Sequence, residues 1–184
     1  MDSRVCQKLV MHPASRCGAI QSVEAAIARD APGALRISWR IAGEIRRLRL
    51  PAAAQALRAD GLWQHSCFEA FLRAGAVASY YEFNLAPSGD WAAWRFGKRR
   101  GERSAPELPA PRIERRHFPD GYELSVKIPV AALPELARAI EIEAGVAAVI
   151  EADDGSLSYW ALAHAGAAPD FHDPSSFLLK VSRP

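Results

Sequence analysis

Apolar residues recur at every second position through much of this chain, and that period constrains its fold more than any other feature. Residues 35–41 (LRISWRI) set Leu35, Ile37, Trp39 and Ile41 against Arg36, Ser38 and Arg40. Residues 122–129 (YELSVKIP) set Tyr122, Leu124, Val126 and Ile128 against Glu123, Ser125 and Lys127. Successive side chains of a strand point to opposite faces, so each segment reads as a strand with one buried face. Residues 140–152, 157–164 and 176–181 also read as strands, the first two joined by a tight hairpin at Asp153-Asp154-Gly155-Ser156. Residues 44–50 (EIRRLRL) follow a break at Ala42-Gly43 and are expected to fold back on residues 35–41. Helical signals are confined to residues 51–61, with proline first and glycine last, and to residues 130–139, interrupted by Pro134. Many short strands without strand–helix alternation predict an all-β fold, a two-sheet antiparallel β-sandwich of immunoglobulin-like or jelly-roll type with one or two short connecting helices.

A length of 184 residues suits one domain, taken as residues 1–184. A net charge of +2 is too small to argue for a nucleic-acid partner. The basic run Lys98, Arg99, Arg100 and Arg103 lies in a proline-rich stretch, residues 97–116, that reads as a solvated surface loop. No aromatic residues interleave with it as they do in single-strand binders. No apolar stretch is long enough to span a bilayer, and the first residues lack the pattern of a secretory leader. These two features predict a cytoplasmic location and no membrane partner, and there the three cysteines (Cys6, Cys17 and Cys67) are expected as reduced thiols.

Two aromatic-rich stretches, residues 63–72 (WQHSCFEAFL) and 80–96 (YYEFNLAPSGDWAAWRF), read as three consecutive antiparallel strands. Phe68, Ala70 and Leu72 share a core face with Tyr81, Phe83 and Leu85, which leaves His65, Cys67 and Glu69 facing Tyr80, Glu82 and Asn84. A turn near Gly75 and Ala76 sets Glu69 opposite Glu82, where like charges repel. A turn at Pro87-Ser88-Gly89-Asp90 pairs Phe83 with Trp94 and Leu85 with Ala92, bringing Arg95 opposite Glu82 as the compensating cation. The expected site is therefore Glu69, Glu82, Asn84 and Arg95 with His65 at one end, and Trp91 and Trp160 among the aromatics available for stacking. Amides and carboxylates supply fixed hydrogen-bond partners, and aromatic faces stack on flat ligands such as sugar rings. A one-residue slip would scatter the set.

Cys67-Phe68-Glu69, Tyr80 to Asn84 (YYEFN) and Pro87 to Trp91 (PSGDW) resemble the DOMON-like domains and the family 9 carbohydrate-binding modules. Residues 158–177 (SYWALAH…PDFHDPSSF) are similar to the closing strands of bacterial DOMON-like proteins. The resemblance runs from residue 62 onward and is clearest over residues 62–96. It implies a β-sandwich that binds a sugar or a haem and performs no chemistry alone, with calcium or haem as the cofactors the family analogy allows.

Other chemistries remain open on the residues themselves. Paired glutamates suit a glycosidase, whose retaining form holds its carboxyls about 5 Å apart. A flat sheet face gives such a pair little shelter for raising one pKa. His65 and Cys67, about 6.8 Å apart along a strand, are too far for a thiol–imidazole pair. Asp170, His172 and Asp173 in a proline-bounded loop are weak candidate ligands for a divalent cation, and a structural turn is the preferred reading of them. Haem needs an axial donor such as His or Met, and the only methionines are Met1 and Met11, the latter beside His12. The functions expected are saccharide-like ligand binding, a paired-glutamate hydrolase, haem binding, or docking of another protein on the polar face.

Overall fold

The computed structural model describes residues 4–30 and 33–183, and in it the alternating segments pair throughout as antiparallel strands. The first third holds β1 (Val5–Met11), β2 (Ile20–Asp30) and β3 (Ala34–Gly43). The middle supplies β4 (Cys67–Ala74), β5 (Tyr80–Leu85), β6 (Trp91–Phe96) and the short β7 (Arg103–Ser104). The last part gives β8 (Arg112–Phe118), β9 (Gly121–Ile128), β10 (Glu141–Glu151), β11 (Leu157–Ala161) and β12 (Leu179–Ser182). Their lateral order is β7-β6-β5-β4-β10-β11-β1-β2-β3-β9-β8, with β12 on β10. β1 turns the corner between two layers: Val5 to Leu9 pair with β2, while Val10 and Met11 pair with β11.

The two layers face each other across a continuous apolar core. Ile37, Trp39 and Ile41 of β3 and Tyr122, Leu124 and Val126 of β9 meet Phe68, Ala70 and Leu72 of β4, Phe83 of β5 and Val146 of β10. The Trp39 and Phe68 rings lie 5.7 Å apart and those of Phe68 and Tyr122 6.2 Å apart, so aromatic contacts bridge the layers. This is the expected two-sheet sandwich. β10 is buried nearly throughout, which explains its unbroken apolar run: one face meets the core and the other lies beneath a covering segment.

Several local expectations are corrected. Residues 44–50 do not return on β3, which instead pairs with β2 and β9. They form a 3-10 turn (Ile45–Arg47) and a single bridge from Leu48 to Ala152. Residues 51–61 are not helical, because their amides bond sideways: Ala54 N–H donates to the Ser88 carbonyl, Leu57 N–H to the Asp90 carboxylate, and Ala59 N–H to the Trp91 carbonyl. Pro134 starts a helix rather than interrupting one; α1 (Pro134–Arg138) has it in the first turn, where no amide is needed. Part of the supposed basic loop is β8, a charged strand on the sheet edge, and charge is how edges avoid further pairing. No helix among the described residues is long and apolar enough to cross a membrane.

Candidate functional site

The strands β4, β5 and β6 carry the polar face on the side away from the sandwich core, but in a different register from the one expected. Glu69 pairs with Asn84 and Phe71 with Glu82, two residues from the expected alignment, because the turn, Gly75 to Ser79, is centred one residue further along the chain than expected. A two-residue shift preserves the faces, so Glu69, Glu82 and Asn84 stay together. The second hairpin slips by one. Ala86 N–H donates to the Asp90 carbonyl, leaving a three-residue loop in which Gly89 adopts a φ of +104°. Trp94 therefore lies opposite Glu82, and Arg95 lies opposite Tyr81 on the other face. There Arg95 Nε bonds Glu135 of α1 at 3.0 Å, and the Tyr81 hydroxyl donates to the same carboxylate. Arg95 is thus not the counter-ion of Glu82.

The face is also not flat. Residues 162–178 cross it as a roof, with Phe171 and Phe177 packed in a small second core against Phe71, Tyr80, Phe96, Ala147 and Val149. Phe177 needs Gly145 beneath it, since a Cβ there would fall 2.7 Å from the Phe177 ring. Ion pairs tie the roof to the β6–β7 loop: Arg100 reaches Asp170 at 2.9 Å, and Arg99 bridges Asp170 and Asp173. Between roof and sheet is a cavity of about 480 Å³. Glu69, Glu82, Phe96, Val149 and Tyr159 line its sheet side, Phe171 and His172 the roof, and Trp63, Arg100 and Arg103 the mouth. Trp63 stands 51% exposed on a 3-10 turn (Leu62–Gln64), an aromatic face left in solvent at the rim.

The sheet side of the cavity is acidic and poorly neutralised. Glu69 is 4% exposed and takes part in no described hydrogen bond or ion pair, so burial and the nearby Glu82 push its carboxyl well above the ordinary range. Glu82, 6% exposed, is also pushed up by burial, offset in part by a 2.6 Å bond from Asn84 Nδ2 and by the charge of Arg103. Asn84 accepts weakly from the Cys67 thiol at 3.8 Å, so it orients Glu82 from beneath rather than facing the cavity. Burial raises the Cys67 thiol well above its usual value. His172 Nδ1 pairs with the Tyr80 hydroxyl at 2.8 Å, and its Nε2 stands 3.7 Å from Glu82. Desolvation lowers the His172 imidazole to about 4, so the ring beside Glu82 is neutral at physiological pH. Arg103 lies 3.9 Å over the Trp94 ring and pairs with Asp60, and Arg100 pairs with Asp170. Both arginines of the mouth already have anions.

The structure scatters the other expected site residues. His65 lies outside β4 and pairs with Glu151 at 2.8 Å, which also separates it from any role with Cys67. Trp91 and Trp160 face the sandwich core; the one-residue slip turns Trp91 inward, and Tyr159 takes the outward position beside Trp160. Asp170, His172 and Asp173 do not converge on a cation, since both aspartates are engaged by arginines. No group of three or more His, Cys, Asp or Glu side chains suited to a metal occurs among the described residues. Of the donors considered for haem, His12 is buried, with Nδ1 accepting from Ala14 N–H and Nε2 bonded to the Gly166 carbonyl, and Met1 lies outside the described residues. Sequence reading named His172 only as a candidate metal ligand and Arg100 and Arg103 only as part of a solvated loop, because only the fold brings residues 100 and 172 beside residue 82.

No protein-family model and no curated protein matches the sequence. Solved structures do match. A Bacteroides uniformis protein, described as a candidate carbohydrate-binding protein, aligns with a TM-score of 0.72 at 16% identity over 97% of this chain and 85% of its own. A family 9 carbohydrate-binding module from Caldicellulosiruptor kristjanssonii in complex with glucose aligns at 0.53 and 10% identity, over 95% of this chain and 82% of its own. The cellotriose complex of such a module from the same organism gives 0.53 at 7% identity, over 95% and 80%. At these identities the likeness is one of fold, and the fold is the one the sequence resemblance to family 9 modules implied.

Proposed function

We propose that the protein is a non-catalytic binding module for a saccharide or sugar derivative, held in the cavity between the β4–β5–β6 face and its roof. The single observation that carries this reading is the composition of that cavity: buried carboxyls at the base and a half-exposed tryptophan at the rim. Sugars present a ring of hydroxyl donors with apolar faces between them, which that pairing of carboxyl and aromatic surface complements. The cavity's volume is in the range of small-ligand sites. The likeness of fold to modules solved with glucose and cellotriose supports the same reading. Glu69, Glu82 and Trp63 make the contacts, Asn84 holds Glu82 in place, and Arg100 and Arg103 bound the entrance. Three free cysteines accord with a reducing compartment, and a cytoplasmic location belongs to this proposal.

Calorimetric titration against mono- and oligosaccharides tests it. Binding is expected, weakened about tenfold by Trp63→Ala and at least as much by Glu82→Ala. Binding untouched by Glu82→Ala would place the ligand elsewhere. The sheltered carboxyl pair is the one observation that favours a hydrolase. Yet burial pushes both carboxyls in the same direction, whereas acid and nucleophile need environments that separate them. The ligand is therefore expected to be recovered intact after long incubation, and reducing-sugar release would reverse that conclusion.

A further inference from the structure

We infer that the cavity selects a protonated amine, so that its preferred ligand is an amino sugar whose ammonium sits against the Glu69 and Glu82 carboxyls. This rests on the saccharide reading and names the ligand class within it. The argument is one of unmatched groups. Glu69 is buried, faces the cavity and has no partner among the described residues. Glu82 keeps one oxygen for Asn84, and its other lies 3.7 Å from His172 Nε2, too far for a hydrogen bond. The cations that line the cavity are already paired, Arg100 with Asp170 and Arg103 with Asp60. Two acids at the base thus face no positive charge committed to them. An isolated buried carboxylate is unstable, so a group that supplies both charge and several donors gains most from binding there. An ammonium does this with three N–H donors, whereas a sugar hydroxyl brings one donor and no charge.

Burial and the neighbouring Glu82 raise the Glu69 carboxyl, so the unliganded pair holds a proton more readily than a solvated carboxyl does. An ammonium beside the pair favours the ionised carboxyls, so its binding is coupled to proton release. The other titratable and charged groups around the pair are Cys67, Tyr80, Tyr159, His172, Arg100, and Arg103 with its partner Asp60. Cys67 and Tyr80 are held above their ordinary values and His172 below its own, all displaced away from neutrality, whereas the carboxyls are displaced upward toward it. Lower pH weakens the amine complex because the carboxyls bind protons in competition with it.

The test is calorimetry on the intact protein with three sets of sugars: neutral hexoses, their 2-amino counterparts and their 2-acetamido counterparts. The amino sugar is expected to bind about tenfold more tightly than either uncharged form. Its heat should change with the ionisation enthalpy of the buffer, which reports proton release. Glu69→Gln should shrink the ratio of amino-sugar to neutral-sugar affinity toward one, whatever it does to sugar affinity as a whole. The uncharged sugars serve as the control in wild-type protein, so the comparison stands even if the variant folds poorly. Equal affinity for neutral and aminated sugars, or heats independent of buffer, overturns the amine inference and leaves the saccharide reading intact. Failure of all three sets to bind overturns both.

Discussion

Glu69 is the residue at which stability and binding pull apart. Its carboxyl is displaced upward in the fold, so its favourable contribution is complete below the ordinary carboxyl range and is lost as pH rises through the folded value. At neutral pH the unliganded protein bears the cost of this group. Glu69→Gln is therefore expected to raise stability by at least about 1 kcal/mol, or about 2–4 °C in Tm for a chain of this size. The gain should grow with pH, and thermal melts across the neutral range measure it. A loss of stability would mean that Glu69 has a structural partner. His172 has the opposite sense. Its pKa is lowered from 6.5 to about 4 in the fold, so its contribution is complete above 6.5 and is lost as pH falls toward 4, below which nothing further is lost. The whole effect is at most about 3 kcal/mol. Urea unfolding of wild type and His172→Gln over this window isolates it, and parallel pH curves would show the ring to be solvated.

The roof is the element on which ligand access depends. It is held by a small aromatic core and by the Arg99 and Arg100 pairs to Asp170 and Asp173, both partly exposed to solvent. Exposed pairs contribute little and are screened by salt. Asp170→Asn should cost less than about 1 kcal/mol of global stability yet speed amide hydrogen exchange across residues 166–178. Unchanged exchange there would assign the roof's order to the aromatics alone. Gly145→Ala drives a methyl group into the Phe177 ring and should cost about 1–3 kcal/mol, read by chemical denaturation. Phe177→Leu in the same chain should recover part of that loss.

The whole molecule separates a core that sets stability from a rim that sets recognition. Trp39 is fully buried between the layers, and Trp39→Ala should cost about 3–5 kcal/mol. Trp63 stands half in solvent, so Trp63→Ala should change stability by less than about 0.5 kcal/mol while weakening ligand binding. Denaturation and calorimetry on the two variants should give opposite rankings. The period-two pattern by itself determined the sandwich: an apolar residue at every second position leaves a strand one face to bury, whatever its neighbours. The pattern also placed Glu69, Glu82 and Asn84 on a common outward face, because that assignment depends only on parity within each strand. Parity does not fix register between strands. One left-handed glycine in a three-residue turn moved Arg95 to the core side, took Trp91 with it and left the carboxyl pair without the cation expected of it. The roof and the mouth were beyond local reading for a related reason. Residues 100, 103 and 172 are far from residue 82 along the chain, and pairing over such distances is decided only when the strands and their connections pack together.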